Sequence, residues 1–183
     1  MRAFIAIDLP DSLHAALAEA QQAFRETCGE ANWRRPEGIH LTLKFLGEIT
    51  DAQTKQVVEA LGRLGPFAPF PVEVKGFGFF PKAERPRVFW AGVVAPPALA
   101  ELAGRIEDSM ERAGFAREDR PFSPHLTLAR FNIPRPQPAL VAASRSTESL
   151  GKFEASDFFL FESKLSPQGA QYRRVMRFPI LKK

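Results

Sequence analysis

The tetrapeptide His-Leu-Thr-Leu occurs twice in this chain, at His40–Leu43 and at His125–Leu128. The sequence has only three histidines, so two of them open the same four residues. In an extended strand side chains alternate between faces, which groups His40 with Thr42 and His125 with Thr127. Leu41, Leu43, Leu126 and Leu128 then point the other way, and alternation carries Phe45 to the apolar side as well. A half-solvated strand explains the alternation but not the choice of His and Thr on both polar faces. That choice suits a phosphate. Threonine hydroxyls donate to non-bridging oxygens, and imidazole gives or takes a proton near neutral pH. Two such strands facing each other would place an imidazole on either side of one phosphorus. In-line displacement needs that pair, a base for the entering oxygen and an acid for the leaving one. Each positioned acid or base contributes roughly 10²–10⁴-fold, and a hydroxyl bond to a charged phosphate roughly 1.5–3 kcal/mol.

Other chemistry finds less support. His14 sits in a predicted helix beside Leu13 and reads as a surface or helix-packing residue. Zinc sites draw three or four Cys and His ligands at short spacings, and neither H-E-x-x-H nor C-x-x-C occurs. No metal and no cofactor is expected. Cys28 is the sole cysteine, which excludes an internal disulfide and fits a reducing compartment. With no histidine near it in sequence, it reads as a small packed thiol. A G-x-x-x-x-G-K-[ST] loop and a K-x-D-G motif are both absent, which disfavours an ATP-driven ligase.

The elements that would hold the two tetrapeptides can be read around them. "RAFIAID" is a strand closed by Leu-Pro, and Asp11 is placed to cap a helix whose Leu13, Leu17 and Phe24 recur at helical spacing. "ANWRRP" and "GIHLTLKFLG" read as two short strands. Thr50 and Gln53 form a capping-box pattern before "DAQTKQVVEALGRL". "FPVEVKGFGFF" and "RVFWAGVV" make a hairpin around "PKAERP". A second amphipathic helix carries Leu99, Leu102, Ile106 and Met110 on one side. "PFSPHLTLARF" is a strand, with Pro124 holding Ser123 extended. A short helix follows in "RPQPALVAASRSTESL", and "FEASDFFLFESKL" and "YRRVMRFPIL" end the chain as strands. The fold class expected is α+β, with two similar sheet-and-helix halves in a single domain over residues 1–183.

Length and composition agree. The chain has 183 residues, 45% of them hydrophobic and 17 of them phenylalanine, enough for a packed core. The N-terminal apolar run is too short for a signal peptide and no stretch could span a bilayer, so a cytoplasmic protein without membrane attachment is expected. The formal charge of +4 permits an anionic partner without requiring one.

With both tetrapeptides placed, the chain resembles the two-histidine (2H) phosphoesterases. Within them it is similar to the bacterial RNA 2′,3′-cyclic phosphodiesterase group, also called 2′–5′ RNA ligases. "RAFIAIDLP", "HLTLKFLGE", "RPRVFWAGV" and "FSPHLTLAR" carry the resemblance. It implies a bilobal α+β fold with a central cleft between two antiparallel sheets. It also implies metal-independent hydrolysis of an RNA 2′,3′-cyclic phosphate end to a 2′-phosphate. By position, His40 matches the proton donor to the leaving 3′ oxygen and His125 the proton acceptor. Thr42 and Thr127 match the phosphate-binding hydroxyls, and Arg130 a substrate-binding arginine. Strict alternation puts Arg130 on the face opposite His125, so a bulge or the strand's end must turn it back.

The partner expected is RNA ending in a 2′,3′-cyclic phosphate, with no obligate protein partner. Arg34, Arg35, Lys44, Arg85 and Arg87 flank the site, and six Lys or Arg follow from Lys164 onward without an acidic residue. Together they sketch a cationic rim for phosphates. Trp33, Phe45 and Tyr172 are candidates for base stacking. Competing readings are an RNA- or nucleotide-binding module without turnover, and a phosphodiesterase for a small cyclic nucleotide or a 2′–5′-linked oligonucleotide. Two intact tetrads favour catalysis, because binding alone needs no paired acid and base.

Overall fold

The computed structural model describes residues 1–166 and 169–180. In chain order the elements are β1 (Arg2–Ile7), α1 (Asp11–Arg25), β2 (Asn32–Trp33), a 3₁₀ turn (Pro36–Gly38), β3 (Leu41–Glu48) and α2 (Asp51–Gly62). Then come β4 (Phe70–Phe80), β5 (Val88–Val94), α3 (Pro97–Arg112), β6 (His125–Arg130), α4 (Pro138–Ala143), β7 (Ser149–Ala155), β8 (Asp157–Ser166) and β9 (Gly169–Pro179). Two antiparallel sheets result, a four-stranded one in the order β3-β1-β8-β9 and a five-stranded one in the order β2-β6-β5-β4-β7. Each sheet holds one of the repeated tetrapeptides, and the α+β class is as the sequence indicated.

The helical faces match the periodicity that announced them. Leu13, Leu17 and Phe24 of α1 are buried, as are Leu99, Leu102, Ile106 and Met110 of α3. Each such side chain contributes at most roughly 1.5–3 kcal/mol of burial. They join one large core with Ile5, Ile7, Leu41, Leu126 and Leu128. The capping box is present: Thr50 accepts from the Gln53 amide at 3.2 Å, and the Gln53 side chain accepts from the Thr50 amide at 2.9 Å. The hairpin of β4 and β5 forms around residues 81–87.

Other boundaries differ for local reasons. Pro10 takes the N-cap position of α1 and makes no side-chain cap, so Asp11 lies inside the first turn. There its charge still favours the helix N-terminus. "FEASDFFLFESKL" is not one strand. Ser156 interrupts it, leaving Ala155 paired with Phe70 in one sheet and Asp157 paired with Pro179 in the other. The sheets therefore do not divide the sequence into first and second halves, since β1 and β3 share a sheet with β8 and β9.

A second apolar cluster lies on the far side of the four-stranded sheet from the main core. Phe4, Ala6 and Phe161 form it, with Phe159 and Tyr172 against them. The Phe4 and Phe161 rings stack with centroids 5.1 Å apart. His40 rests on this cluster.

Candidate active site

Both tetrapeptides break their strand at the same place. Along β3, Ile5 pairs with Lys44 but the next residue, Ala6, pairs with Thr42, so Leu43 is an extra residue. Along β6, Phe89 pairs with Ala129 and Trp90 with Thr127, so Leu128 is the extra residue. A bulge reverses the alternation beyond it. The residue after each bulge therefore turns inward with the leucines. In β3 this is Lys44 and in β6 it is Ala129, 3% and 0% exposed. The residue after that returns to the histidine face. In β6 it is Arg130, and in β3 it is Phe45, 59% exposed.

One open question is answered and two expectations change accordingly. Arg130 shares a face with His125 and Thr127, and its charge bears on His125. Phe45 is not a core residue; its ring lies 6.1 Å from Phe4 on the histidine side. Lys44 is no rim cation, because its Nζ donates to Glu107 Oε1 at 2.7 Å and to Ala116 O at 2.9 Å behind the sheet.

The two imidazoles are held in the same way. His40 Nδ1 donates to Gly38 O at 2.9 Å, and His125 Nδ1 donates to Ser123 O at 2.8 Å. A carbonyl only accepts, so each Nδ1 carries a proton and each Nε2 is the nitrogen left to exchange one. Aromatic rings brace both side chains. Phe161 and Tyr172 approach His40 with centroids at 4.4 and 5.2 Å, and Phe80 meets His125 edge-on at 4.9 Å.

Their charged surroundings differ. Burial is the main cause that holds both imidazoles below the ordinary histidine range. Against it, the Asp8 carboxylate supports the charged form of His40, with Oδ1 3.6 Å from Nε2. Arg130 acts the other way on His125 and favours its neutral form.

A chain of contacts joins the two sheets. Tyr172, beside His40, receives a long hydrogen bond from Arg34 Nη1 at 3.4 Å. Arg34 in turn donates its amide to Leu128 O at 2.8 Å. Arg34 and Tyr172 both act on Arg130, whose guanidinium is held below its usual range by partial burial first and Arg34 second.

The remaining sequence candidates sort by their partners. Arg174 pairs with Asp8, Arg177 with Asp157 at 2.8 Å, and Arg173 with Glu162 at 2.8 Å. Much of the C-terminal basic run is thus neutralised locally, and Lys182 and Lys183 lie outside the described residues. Arg87 donates to Asn132 O at 2.9 Å, while Arg35 and Arg85 lie at the surface. Trp33 packs edge-on against Phe89 at 6.2 Å, under the guanidinium of Arg25, and so is a structural aromatic. His14 Nε2 lies 3.2 Å from Ile39 O, which ties α1 to the turn before His40. Burial pushes the half-buried Cys28 thiol up, away from nucleophile behaviour. Among the described residues no three His, Cys, Asp or Glu gather into a metal-holding group. Among the same residues no helix is long and apolar enough to cross a membrane.

Asp8 was not singled out by the sequence reading, and Arg174 was read only as part of the basic rim. Asp8 lies two residues beyond Ala6, the partner of Thr42, so alternation alone would have brought it to the His40 face.

The chain that carries these two strands matches a known family. Residues 7–90 and 93–172 match the family described as LigT like Phosphoesterase. The chain belongs to that family. It is 34% identical to an RNA 2′,3′-cyclic phosphodiesterase of Archaeoglobus fulgidus over 97% of this chain and 99% of the relative. A relative of the same name from Thermus thermophilus is 35% identical over 98% of this chain and 90% of its own length. A crystal structure of a Thermus thermophilus protein superposes with a TM-score of 0.80 at 32% identity, over 98% of both chains. Escherichia coli LigT complexed with 3′-AMP shares the fold, with a TM-score of 0.81 at 24% identity, over 99% of this chain and 98% of that one.

Proposed function

We propose that this protein hydrolyses RNA 2′,3′-cyclic phosphate ends to 2′-phosphates, with His125 as base and His40 as acid. The observation that carries the assignment is the matched pair of imidazoles. Both are locked through Nδ1 with Nε2 left to exchange protons, one beside Asp8 and the other beside Arg130. His125 Nε2 takes a proton from water as its oxygen bonds to phosphorus. The phosphorus–3′-oxygen bond breaks on the opposite side, and His40 Nε2 gives its proton to the leaving oxygen. Thr42 and Thr127 donate to the non-bridging oxygens, and Arg130 offsets the charge that grows on them. Phe45 is the exposed aromatic on the histidine face and serves as the base platform.

Both sheets supply one member of each pair, so the chain works as one unit over residues 1–183. The same residues would join ends where a 5′-hydroxyl attacks the phosphorus in place of water, breaking the bond to the 3′ oxygen and forming a 2′–5′ linkage. RNA as substrate fits a cytoplasmic location.

The test is a short RNA ending in a 2′,3′-cyclic phosphate, incubated with the protein in EDTA. A 2′-phosphate product that vanishes in His40→Ala and His125→Ala supports the reading. A 3′-phosphate product, or none from folded protein, overturns it.

A further inference from the structure

The reading above needs one imidazole to arrive protonated and the other neutral, yet burial disfavours the charge on both. The structure treats the two differently through one carboxylate. Asp8 follows β1, and its side chain is 13% exposed. Its Oδ1 accepts the Leu9 amide at 3.0 Å, and its Oδ2 accepts Arg174 Nε at 2.8 Å and also Arg174 Nη2. The guanidinium of Arg174 lies over the Phe159 ring at 4.9 Å, and Phe159 leans on Phe161, which touches His40. Asp8 is therefore fixed from both sides.

From there Oδ1 faces His40 Nε2 at 3.6 Å. That is too far for a hydrogen bond and near enough for charge to act. The distance matters, because a carboxylate at hydrogen-bond range would occupy the proton that the leaving oxygen must receive. At 3.6 Å Asp8 favours the imidazolium and leaves its Nε2–H unclaimed. The other charged or titratable groups around this ring are His14 from α1 and Arg174 and Tyr172 from β9. His14 and Arg174 both oppose a proton on His40, which leaves Asp8 as the carboxylate that favours one.

We propose that Asp8, clamped by Arg174, is a positioning residue that makes His40 the proton-bearing member of the pair. This rests on the acid–base reading above and adds to it the group that decides which imidazole is the acid. Arg174 sets how strongly Asp8 acts, since it neutralises part of the carboxylate charge.

Asp8→Asn keeps the size of the side chain and its acceptor for the Leu9 amide but removes the charge. On the cyclic-phosphate RNA its kcat should fall about ten- to a hundredfold, a fraction of what a lost general acid costs, with KM little changed. The alkaline limb of its pH–rate curve should move to lower pH, because His40 loses its proton more readily. Asp8→Glu should restore part of both. Arg174→Ala keeps the Asp8 carboxylate and its bond from the Leu9 amide, removes the neutralising guanidinium, and should move the alkaline limb the other way, to higher pH. It gives a reading even where Asp8→Asn folds poorly. A slowed Asp8→Asn enzyme with an unmoved alkaline limb would make Asp8 merely structural and overturn the proposal. Full activity in His40→Ala would instead remove the acid–base reading on which it stands. An inactive His40→Ala beside an Asp8→Asn with a wild-type pH curve would overturn this proposal alone.

Discussion

After its bulge, β3 turns Lys44 inward and Phe45 outward; at the same two positions β6 turns Ala129 inward and Arg130 outward. Up to that point the strands are identical in sequence, in bulge and in the carbonyl that holds each Nδ1. What separates them is the equipment placed around a shared frame. The His40 side carries an aromatic and a carboxylate, suited to a flat base and a proton that must stay on. The His125 side carries a guanidinium, suited to phosphate oxygens and an imidazole that must stay neutral. A symmetric backbone thus carries asymmetric surroundings, and the asymmetry lies in residues outside the repeated tetrapeptide.

The comparison is broken most directly at its centre. His40→Ala and His125→Ala should each cost roughly 10²–10⁴-fold in kcat with the circular dichroism of the wild type. Near-normal turnover in either would remove that imidazole from the reaction. Lys44→Ala tests the inward pair. It strands Glu107 in a largely buried site and should cost roughly 3–5 kcal/mol of stability, read by urea unfolding, while kcat stays within about twofold. A fall in kcat without loss of stability would return Lys44 to the site.

The hydroxyls should weigh alike on the two sides. Thr42→Ala and Thr127→Ala each remove a bond worth roughly 1.5–3 kcal/mol to a charged phosphate, and kcat/KM should fall in step. A defect in one alone would mean that the phosphate leans to one strand. Phe45→Ala should raise KM about tenfold, consistent with roughly 1–3 kcal/mol for a stacked base, and leave kcat unchanged. Equal KM values for purine- and pyrimidine-ended RNA in wild type and variant would remove it as the platform.

The smallest effect is on stability against pH. Burial holds both imidazoles below their ordinary range, so the unfolded chain binds more protons than the folded one as pH drops below about 6.5. The associated stability is complete above that value and is lost toward acid. Urea midpoints between pH 8 and 5 should fall less steeply in the His40→Ala/His125→Ala double variant. An unchanged slope would place the acid sensitivity elsewhere.

Periodicity and capping chemistry were legible because each is settled within a few neighbouring residues. Leu99, Leu102, Ile106 and Met110 could be assigned to one buried face, and Thr50 with Gln53 to a helix start, without knowing what packs against them. The tetrapeptides were legible because repetition is itself a signal. Lys44 and Phe45 were misread because strict alternation was carried through Leu43, and a bulge there is set by pairing with β1. Arg130 posed the same question openly, and Leu128 answers it. The pairing of Asp8 with Arg174 spans nearly the whole sequence, so no local pattern could announce it. Ser156 was read as strand interior for a related reason, since its neighbours look alike while serving different sheets.

That corner at Ser156 also orders events in time. Every strand of the five-stranded sheet has been made once the growing chain passes Ala155, so that half can pair early. β1 must wait for β8, and Asp8 for Arg174, across a separation that makes closure slow. During synthesis the apolar side formed by Phe4 and Ala6 stays uncovered until Phe161 emerges. The first strand made is thus among the last to be satisfied, and the His40 half of the site matures after the His125 half.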